Sequence, residues 1–451
     1  MRESSSTGSW SSVRACRKQA ETWAIAGVIG LTGCLETPSV VTDLHRDGKP
    51  LATAPKTQSE QYWTAVADLD LVGSQKAARG EAQIRFARAV ALFAAGDYGG
   101  AEKGFTIASM QRTDPTVAAA SQSMLAATLM YQRKWVALRD LSTNAQLGVE
   151  DQHHLSSLEQ WGRAFASAAP QETHLPEAVI TLPLGVTPIG TPTVRVRING
   201  EEYEFWFDTG STITVLSSDV AKAVGISPLT SDILSVGTFA GAAPVKPAVV
   251  KRMELGPIAI ANSPAIVMDA SLMRVKSTAR GVPRNGLAVD GIIGWDTIRQ
   301  FDITLDYEKR TITLRRPETL GTRGTIAQNL TWMGKPMVQA RASNGEMLRF
   351  TLDTGSQTSF VTAEVVKKRG IGTSNVYMRV FGIATNGGQN AQVVPSMQLH
   401  VGGKPLVLTG LMVYSPRSSA LVNCDGILGS DIAQYGTIRI DAANGLFSIG
   451  D

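Results

Sequence analysis

FWFDTGST occupies residues 205–212 and FTLDTGSQ residues 350–357. Each is an apolar run that ends in an aspartate followed by Thr-Gly-Ser. A single Asp-Thr-Gly triplet says little, because average residue usage produces one by chance in roughly one chain in ten of this length. The two copies say more, because their neighbours keep step. Asp208 and Asp353 lie 145 residues apart. The same offset relates Asn199-Gly200 to Asn344-Gly345, Phe205 to Phe350, Val220 to Val365, Gly225-Ile226 to Gly370-Ile371 and Gly237 to Gly382. The first copy then holds ten extra residues, within RGVPRNGLAV (280–289). Beyond them DGIIGWD (290–296) matches DGILGSD (425–431), and Asp306 matches Asp441. Chance does not give such collinearity, so the later two-thirds of the chain is a tandem duplication of one β unit.

Each unit has the same predicted order. A hairpin with an Asn-Gly turn leads to a strand that runs into Asp-Thr-Gly-Ser, then to a strand and a short helix. The helices, SSDVAKAVG (217–225) and TAEVVKKRG (362–370), each have a polar start and a glycine stop. A glycine-bearing hairpin, an apolar-apolar-Gly segment and a last short helix complete the unit. These elements, in this order over residues 182–451, resemble the lobe of the aspartic peptidases. Two linked lobes are pepsin-like; the short lobes, with a glycine-bearing segment in both, are closer to a retropepsin whose two subunits have been fused.

That resemblance implies an all-β bilobal acid-protease fold, endopeptidase activity on a polypeptide substrate, and no metal or organic cofactor. It implies a catalytic pair, Asp208 and Asp353, and a cross-link in which the hydroxyls of Thr209 and Thr354 bond the opposite loop's backbone. It also makes flaps of two segments, one from Gly237 to Gly241 and one from Gly382 through Gly387 to Gly388. No pepsin-type flap tyrosine lies between 230 and 250.

The chemistry gives the residue types a reason. Water hydrolyses a peptide bond when one group takes its proton and another protonates the carbonyl oxygen, and two carboxyls that share one proton do both. Their proximity prevents both from ionising, and the titration belongs to the pair. Gly210 and Gly355 are expected to let the backbone turn sharply and come close to the reacting atoms. Ser211 and Ser356 are expected to bond the outer carboxylate oxygens. Ile292-Ile293-Gly294 and Ile427-Leu428-Gly429 are expected to pack beneath the loops, Asp296 and Asp431 to act as helix N-caps, and Asp290 and Asp425 to sit in turns. A decayed lobe pair would be expected to have lost an aspartate or glycine from one copy, yet both are complete. A non-catalytic scaffold that clasps a peptide uncut, and a protease limited to self-processing, remain the competing readings.

The rest of the chain frames this unit. With 43% hydrophobic and 18% charged residues, the 451-residue chain has the composition of a globular protein. Its net charge of +4 comes from scattered basic residues, which excludes a nucleic-acid reading. The five histidines show no metal-ligand spacing. Arg14, Arg17 and Lys18 precede WAIAGVIGLTG (23–33), too short to span a bilayer, and Cys34 follows. This resembles a bacterial lipobox. It implies a signal peptide over 1–33, lipidation of Cys34, and a membrane connection by lipid anchor only, in the periplasm-facing cell envelope; Leu35 favours the outer membrane over the inner. Residues 34–58 read as a flexible tether. Cys16 leaves with the signal and Cys34 carries lipid, so Cys424 stands alone and is expected to be a small buried apolar residue. Residues 59–168 read as an all-α domain: 85–115 is helix, turn, helix, stop, with Gly96-Asp97-Tyr98 as the turn. That stretch resembles a tetratricopeptide repeat, a plain helical bundle being the competing reading. Too small to bury its own faces, the domain is expected to pack on something and to offer a protein partner a surface. Residues 169–181 are a linker, 182–322 the first lobe and 323–451 the second.

Overall fold

A computed structural model describes residues 34–35, 39–45, 58–141, 149–230, 234–238, 241–277, 280–318, 328–383, 385–414 and 422–450. The expected signal segment, 1–33, lies outside the described residues. The chain has an all-α N-terminal region followed by two β lobes, consistent with a bilobal acid-protease fold. Within the span expected to be a tether, the backbones of Cys34–Leu35 and Ser39–His45 pair antiparallel with strand Thr373–Gly382. An edge strand offers unpaired N–H and C=O groups to any extended segment, which composition alone does not reveal.

The helical region follows its local signals. Helix Gly80–Ala94 ends at Gly96, whose φ of +82 suits glycine. Asp97 then caps Tyr98–Ser109 by accepting the Gly100 N–H at 2.8 Å. Asp114 caps Pro115–Tyr131 in the same way, with a proline at the helix start. Phe86, Phe93 and Phe105 are fully buried between these helices.

Each lobe is built on its duplicated motif. In the first, Pro192–Ile198 and Glu201–Phe207 form the hairpin; Asn199 and Gly200 both have positive φ, as a two-residue turn requires. In the second, Pro336–Ala342 and Met347–Leu352 are joined by a longer turn, closed by the Ala342 N–H donating to the Glu346 carbonyl. The short helices Ser218–Ala223 and Ala363–Arg369 are capped by Ser217 and Thr362 and stopped at Gly225 and Gly370, both at positive φ. The residues extra to the first lobe supply one strand of a small hairpin, Leu287–Ala288, which pairs with Arg274–Val275 before them. Five strands from both lobes share one sheet, in the order Leu446–Gly450, Thr437–Asp441, Asp302–Asp306, Thr311–Arg315, Ile180–Pro183. Its central pair joins the lobes, and Arg439 forks onto Asp302 with two bonds of 2.9 Å.

The helical region packs on both lobes. Trp332 of the second lobe packs against Tyr131, ring centroids 4.3 Å apart and planes tilted by 42°, and also meets Phe93. From the first lobe, the Arg299 guanidinium lies 3.7 Å from the centre of the Tyr131 ring and donates to the Tyr131 carbonyl. Arg133 donates in turn to the Asp296 carbonyl. Trp332 thus anchors the helices to the lobes, and Trp332→Ala is expected to cost about 3–5 kcal/mol. Chemical denaturation should show the helical signal leaving before the β signal.

Candidate active site

The strands that deliver the two aspartates end in parallel pairing. Glu201–Phe207 runs beside Gly291–Ile293, and the Asp208 N–H donates to the Ile293 carbonyl at 3.1 Å. Met347–Leu352 runs beside Gly426–Leu428, and the Asp353 N–H donates to Leu428 at 2.9 Å. The isoleucine-rich segments therefore lie alongside the motif strands, within the same sheets, rather than beneath them. Gly294 and Gly429 are glycines because a Cβ there would stand 2.5 and 2.6 Å from the backbones of Ile213 and Thr358. The loop after each aspartate is wedged against the segment that supports it.

The two loops are locked to each other by four reciprocal bonds. Thr209 Oγ1 donates to the Leu352 carbonyl (2.9 Å) and accepts from the Thr354 N–H (2.9 Å). Thr354 Oγ1 donates to the Phe207 carbonyl (2.6 Å) and accepts from the Thr209 N–H (3.1 Å). Both threonines are fully buried. A broken bond here would leave a buried backbone group without a partner, which makes the lock costly to open.

The carboxyls face each other across this lock. A Cβ at Gly210 would stand 2.4 Å from Asp353 Cγ, and one at Gly355 2.5 Å from Asp208 Cγ. Neither glycine has a positive φ. Their service is the close approach of backbone to the opposite carboxyl, not a sharp turn. Asp208 Oδ1 accepts the N–H groups of Gly210 (2.8 Å) and Ser211 (3.2 Å); Asp353 Oδ1 accepts that of Ser356 (3.1 Å). The serine hydroxyls do not bond the carboxyls. Ser211 Oγ donates to the Ile213 carbonyl and Ser356 Oγ to that of Thr358, each two residues on, which fixes the loop instead. Nearby main-chain amides already hold the inner carboxylate oxygens, leaving the hydroxyls free to close the turn.

Burial raises both carboxyls. Asp208 is pushed well above the usual range by burial and by the charge of Asp353. Asp353 is raised by burial to about 6, held lower than its partner by the Lys335 cation and by backbone amides. Asp208 Oδ2 meets no donor among the described residues. The group facing it is the other carboxyl, and two carboxyls hydrogen-bond only when one is protonated. Burial and mutual repulsion thus favour a pair that holds one proton between the two carboxyls.

Further residues support the loops. Asp296 and Asp431 are not helix caps. Gly294 and Gly429 hold the cap positions of helix Trp295–Ile298 and of the 3-10 turn Ser430–Tyr435, placing each aspartate second within its helix. Each carboxylate reaches back to the loop beyond its motif. Asp431 accepts the Ser359 N–H (2.9 Å) and hydroxyl (2.7 Å); Asp296 accepts the Thr214 hydroxyl (3.1 Å). Thr214 and Ser359 share the offset of the aspartates, a signal available in the duplication. Lys335 has none, because the aligned GTPTV and GKPMV put Thr191 in its place in the first lobe. Asp425 is not in a turn; it directly precedes strand Gly426–Leu428, and its carboxylate accepts the Arg349 N–H of the motif strand at 2.8 Å. Cys424 is a free, half-buried thiol that donates to the Gly426 carbonyl, so it is hydrogen-bonded and not purely apolar.

The glycine-bearing segments are hairpins. Leu234–Thr238 pairs with Gly241–Leu255, setting Gly237 opposite Ala242 and Gly241 opposite Thr238. Thr373–Gly382 pairs with Thr385–Val401, setting Gly382 opposite Thr385 and Gly387 opposite Val380. At the second turn Ile383 is buried in an apolar cluster with Leu234, Val236, Trp161 and Phe165. The hairpin of the second lobe thus ends among side chains of the first lobe and the helices. Among the described residues no cluster of His, Cys, Asp and Glu could hold a metal ion.

Several comparisons bear on this chain. No curated protein matches it. It is similar to the solved structure of an aspartic proteinase from Irpex lacteus, at 15% identity over 59% of this chain and 96% of that one, with a TM-score of 0.34. It is also similar to a retropepsin-like aspartic protease from Rickettsia conorii, at 16% identity over 32% of this chain and 94% of that one, with a TM-score of 0.21. Scores this low bear on neither fold nor function. The model of the aspartyl protease family matches residues 194–297, which hold Asp208, its loop and the segment that supports it.

Proposed function

We propose that the protein is an aspartic endopeptidase of retropepsin-like type, with two fused lobes, that hydrolyses peptide bonds in polypeptides. One observation carries the reading: two buried carboxyls, one from each lobe, face each other across a reciprocal threonine lock. The family match over the first lobe supports it. In this mechanism ionised Asp353 takes a proton from water, and the water oxygen bonds the scissile carbonyl carbon. Asp208 gives its proton to the carbonyl oxygen. Collapse of the tetrahedral intermediate breaks the C–N bond, and the leaving amine takes a proton from the pair. The chain's own carboxyls carry every proton, so the reaction requires no metal or organic cofactor.

The two hairpins serve as the substrate-holding flaps. The helical region is the surface for a protein partner. Cys34 carries the lipid that holds the protein in the cell envelope, facing the periplasm, and Cys34→Ser is expected to abolish incorporation of labelled fatty acid and release the protein from the membrane fraction.

Asp208→Asn and Asp353→Asn are each expected to reduce cleavage of an unfolded polypeptide by at least roughly 10³-fold, as loss of half of an acid–base unit should. A product ladder that persists in either folded variant sinks the dyad assignment. A peptide bound tightly by the wild type but never cut favours the scaffold reading. The pH profile of kcat/KM should be bell-shaped, rising near pH 6 as Asp353 loses its proton and falling at higher pH as the pair loses the second.

The same titration predicts a stability effect. A carboxyl whose folded pKa lies above its unfolded value stabilises fully below the unfolded value and loses that contribution as pH rises through the folded one. For Asp353 the window runs from about 4 to about 6. Asp353→Asn should therefore be more stable than wild type at pH 7, by up to about 3 kcal/mol, with the gain vanishing below pH 4. Denaturation at the two pH values checks the sign.

A further inference from the structure

The loops that follow Asp208 and Asp353 are braced alike, but the brace of the first lobe is incomplete within the lobe. In the second lobe the Ser430 N–H donates to the Ser356 carbonyl at 2.6 Å, and Asp431 is filled on both oxygens by Ser359. In the first, the Trp295 and Asp296 N–H groups donate to the Ser211 and Thr212 carbonyls (2.6 and 3.2 Å). There, however, Asp296 takes the Thr214 hydroxyl on Oδ1, with the Thr297 amide of its own helix nearby. Oδ2 is buried with no hydrogen-bond donor among the described residues. Two cations act on Asp296: Arg299 of its own lobe, and Arg133 of the helical region, whose guanidinium lies 4.0 Å from Oδ2 and also donates to the Asp296 carbonyl.

Arg133 bears two costs in reaching that place. It is the residue just past helix Pro115–Tyr131, in a turn where the Lys134 N–H bonds Leu129 and the Arg133 N–H bonds Met130. This closure puts Arg133 at φ +56, a left-handed position that favours glycine and strains other residues. The chain places glycine at three other helix ends, Gly96, Gly225 and Gly370, while Leu69 closes helix Gln58–Ala67 at φ +47 as Arg133 does here. The second cost is partial burial: the Arg133 side chain is 19% exposed and that of Asp296 11%. That burial pulls Arg133 down to about 10 and raises Asp296, and at 4.0 Å the attraction between them is a weak offset. Strain and buried charge meeting in one residue indicate a task other than stability.

We propose that Arg133 is a positioning residue for the reacting aspartate of the first lobe, completing from the helical region the brace that runs through Asp296 to the Ser211–Thr212 loop. The helical region is then part of the catalytic unit itself. The inference rests on the aspartic peptidase reading, and Asp208→Asn run in parallel separates the two.

In the full chain, Arg133→Gly relieves the backbone strain and should keep or raise the melting midpoint. It should lower kcat roughly 10–100-fold, the penalty of a small misplacement of a reacting group, with KM little changed. Arg133→Lys restores a cation but not the paired geometry, and should recover part of kcat. Asp296→Asn leaves the helix end intact and should lower kcat similarly. Wild-type kcat in folded Arg133→Gly or Asp296→Asn, beside an inactive Asp208→Asn, overturns the inference and leaves the peptidase reading standing. A fall in kcat matched by a fall in melting midpoint in both variants also overturns it, since Arg133 would then be structural only. Activity persisting in Asp208→Asn sinks the peptidase reading itself.

Discussion

Two carboxyls pressed together out of water cannot both be charged, and the structure around Asp208 and Asp353 is organised to hold them there. Left to themselves they would separate and hydrate. The lock between Thr209 and Thr354 prevents this by joining the two loops through four buried bonds whose loss would strand backbone groups. The remaining features act on that lock. Parallel strands deliver the loops to it, glycines let the opposite carboxyl lie against the backbone, and the shared five-stranded sheet keeps the lobes from parting. The last of these does in one chain what a subunit interface would do in a dimer.

A pair built on an internal twofold axis would be symmetric, and a symmetric pair does not specify where its one proton resides. The halves of this chain have diverged where divergence settles that. Lys335 stands in the second lobe where the first has Thr191, and its charge favours ionisation of Asp353. Asp208 has no such cation beside it, and burial and the charge of Asp353 hold its carboxyl up. The fold is duplicated while the electrostatics are not, and in the proposed mechanism that difference makes Asp353 the base and Asp208 the acid.

Much of this was legible in the sequence, because the duplication is an internal alignment. Matched offsets identify the motifs, the turns and the capped helices, and the resemblance to the aspartic peptidases implies the threonine lock. Misreadings arose where a residue type permits two partners. A serine beside an aspartate can bond the carboxyl or the chain, and backbone amides had already filled the first option for Ser211 and Ser356. An aspartate at a helix start can cap it or reach across, and Asp296 and Asp431 reach across because glycines hold the cap positions. Lys335 and Arg133 were invisible for a different reason: each breaks the repeat or lies outside it, so no partner position in the sequence points to it.

The helical region shows how far the constraint extends. Its helices carry ordinary caps, and being too few to bury their own faces they pack on the lobes. Tyr131 is sandwiched between Trp332 of one lobe and Arg299 of the other. Two residues on, Arg133 accepts a strained backbone to reach Asp296. A domain that merely tethered or recruited would place its strain at a partner surface. Here the strain is turned inward, onto the segment that carries the Asp208 loop. The helix end, the two lobes and the loop of the first aspartate meet around a single small cavity lined by Tyr131, Arg133, Thr212, Trp295, Asp296 and Trp332. A shift of the helices therefore cannot leave that loop unaffected, and the geometry of the carboxyl pair depends on residues more than seventy positions upstream of it in the chain.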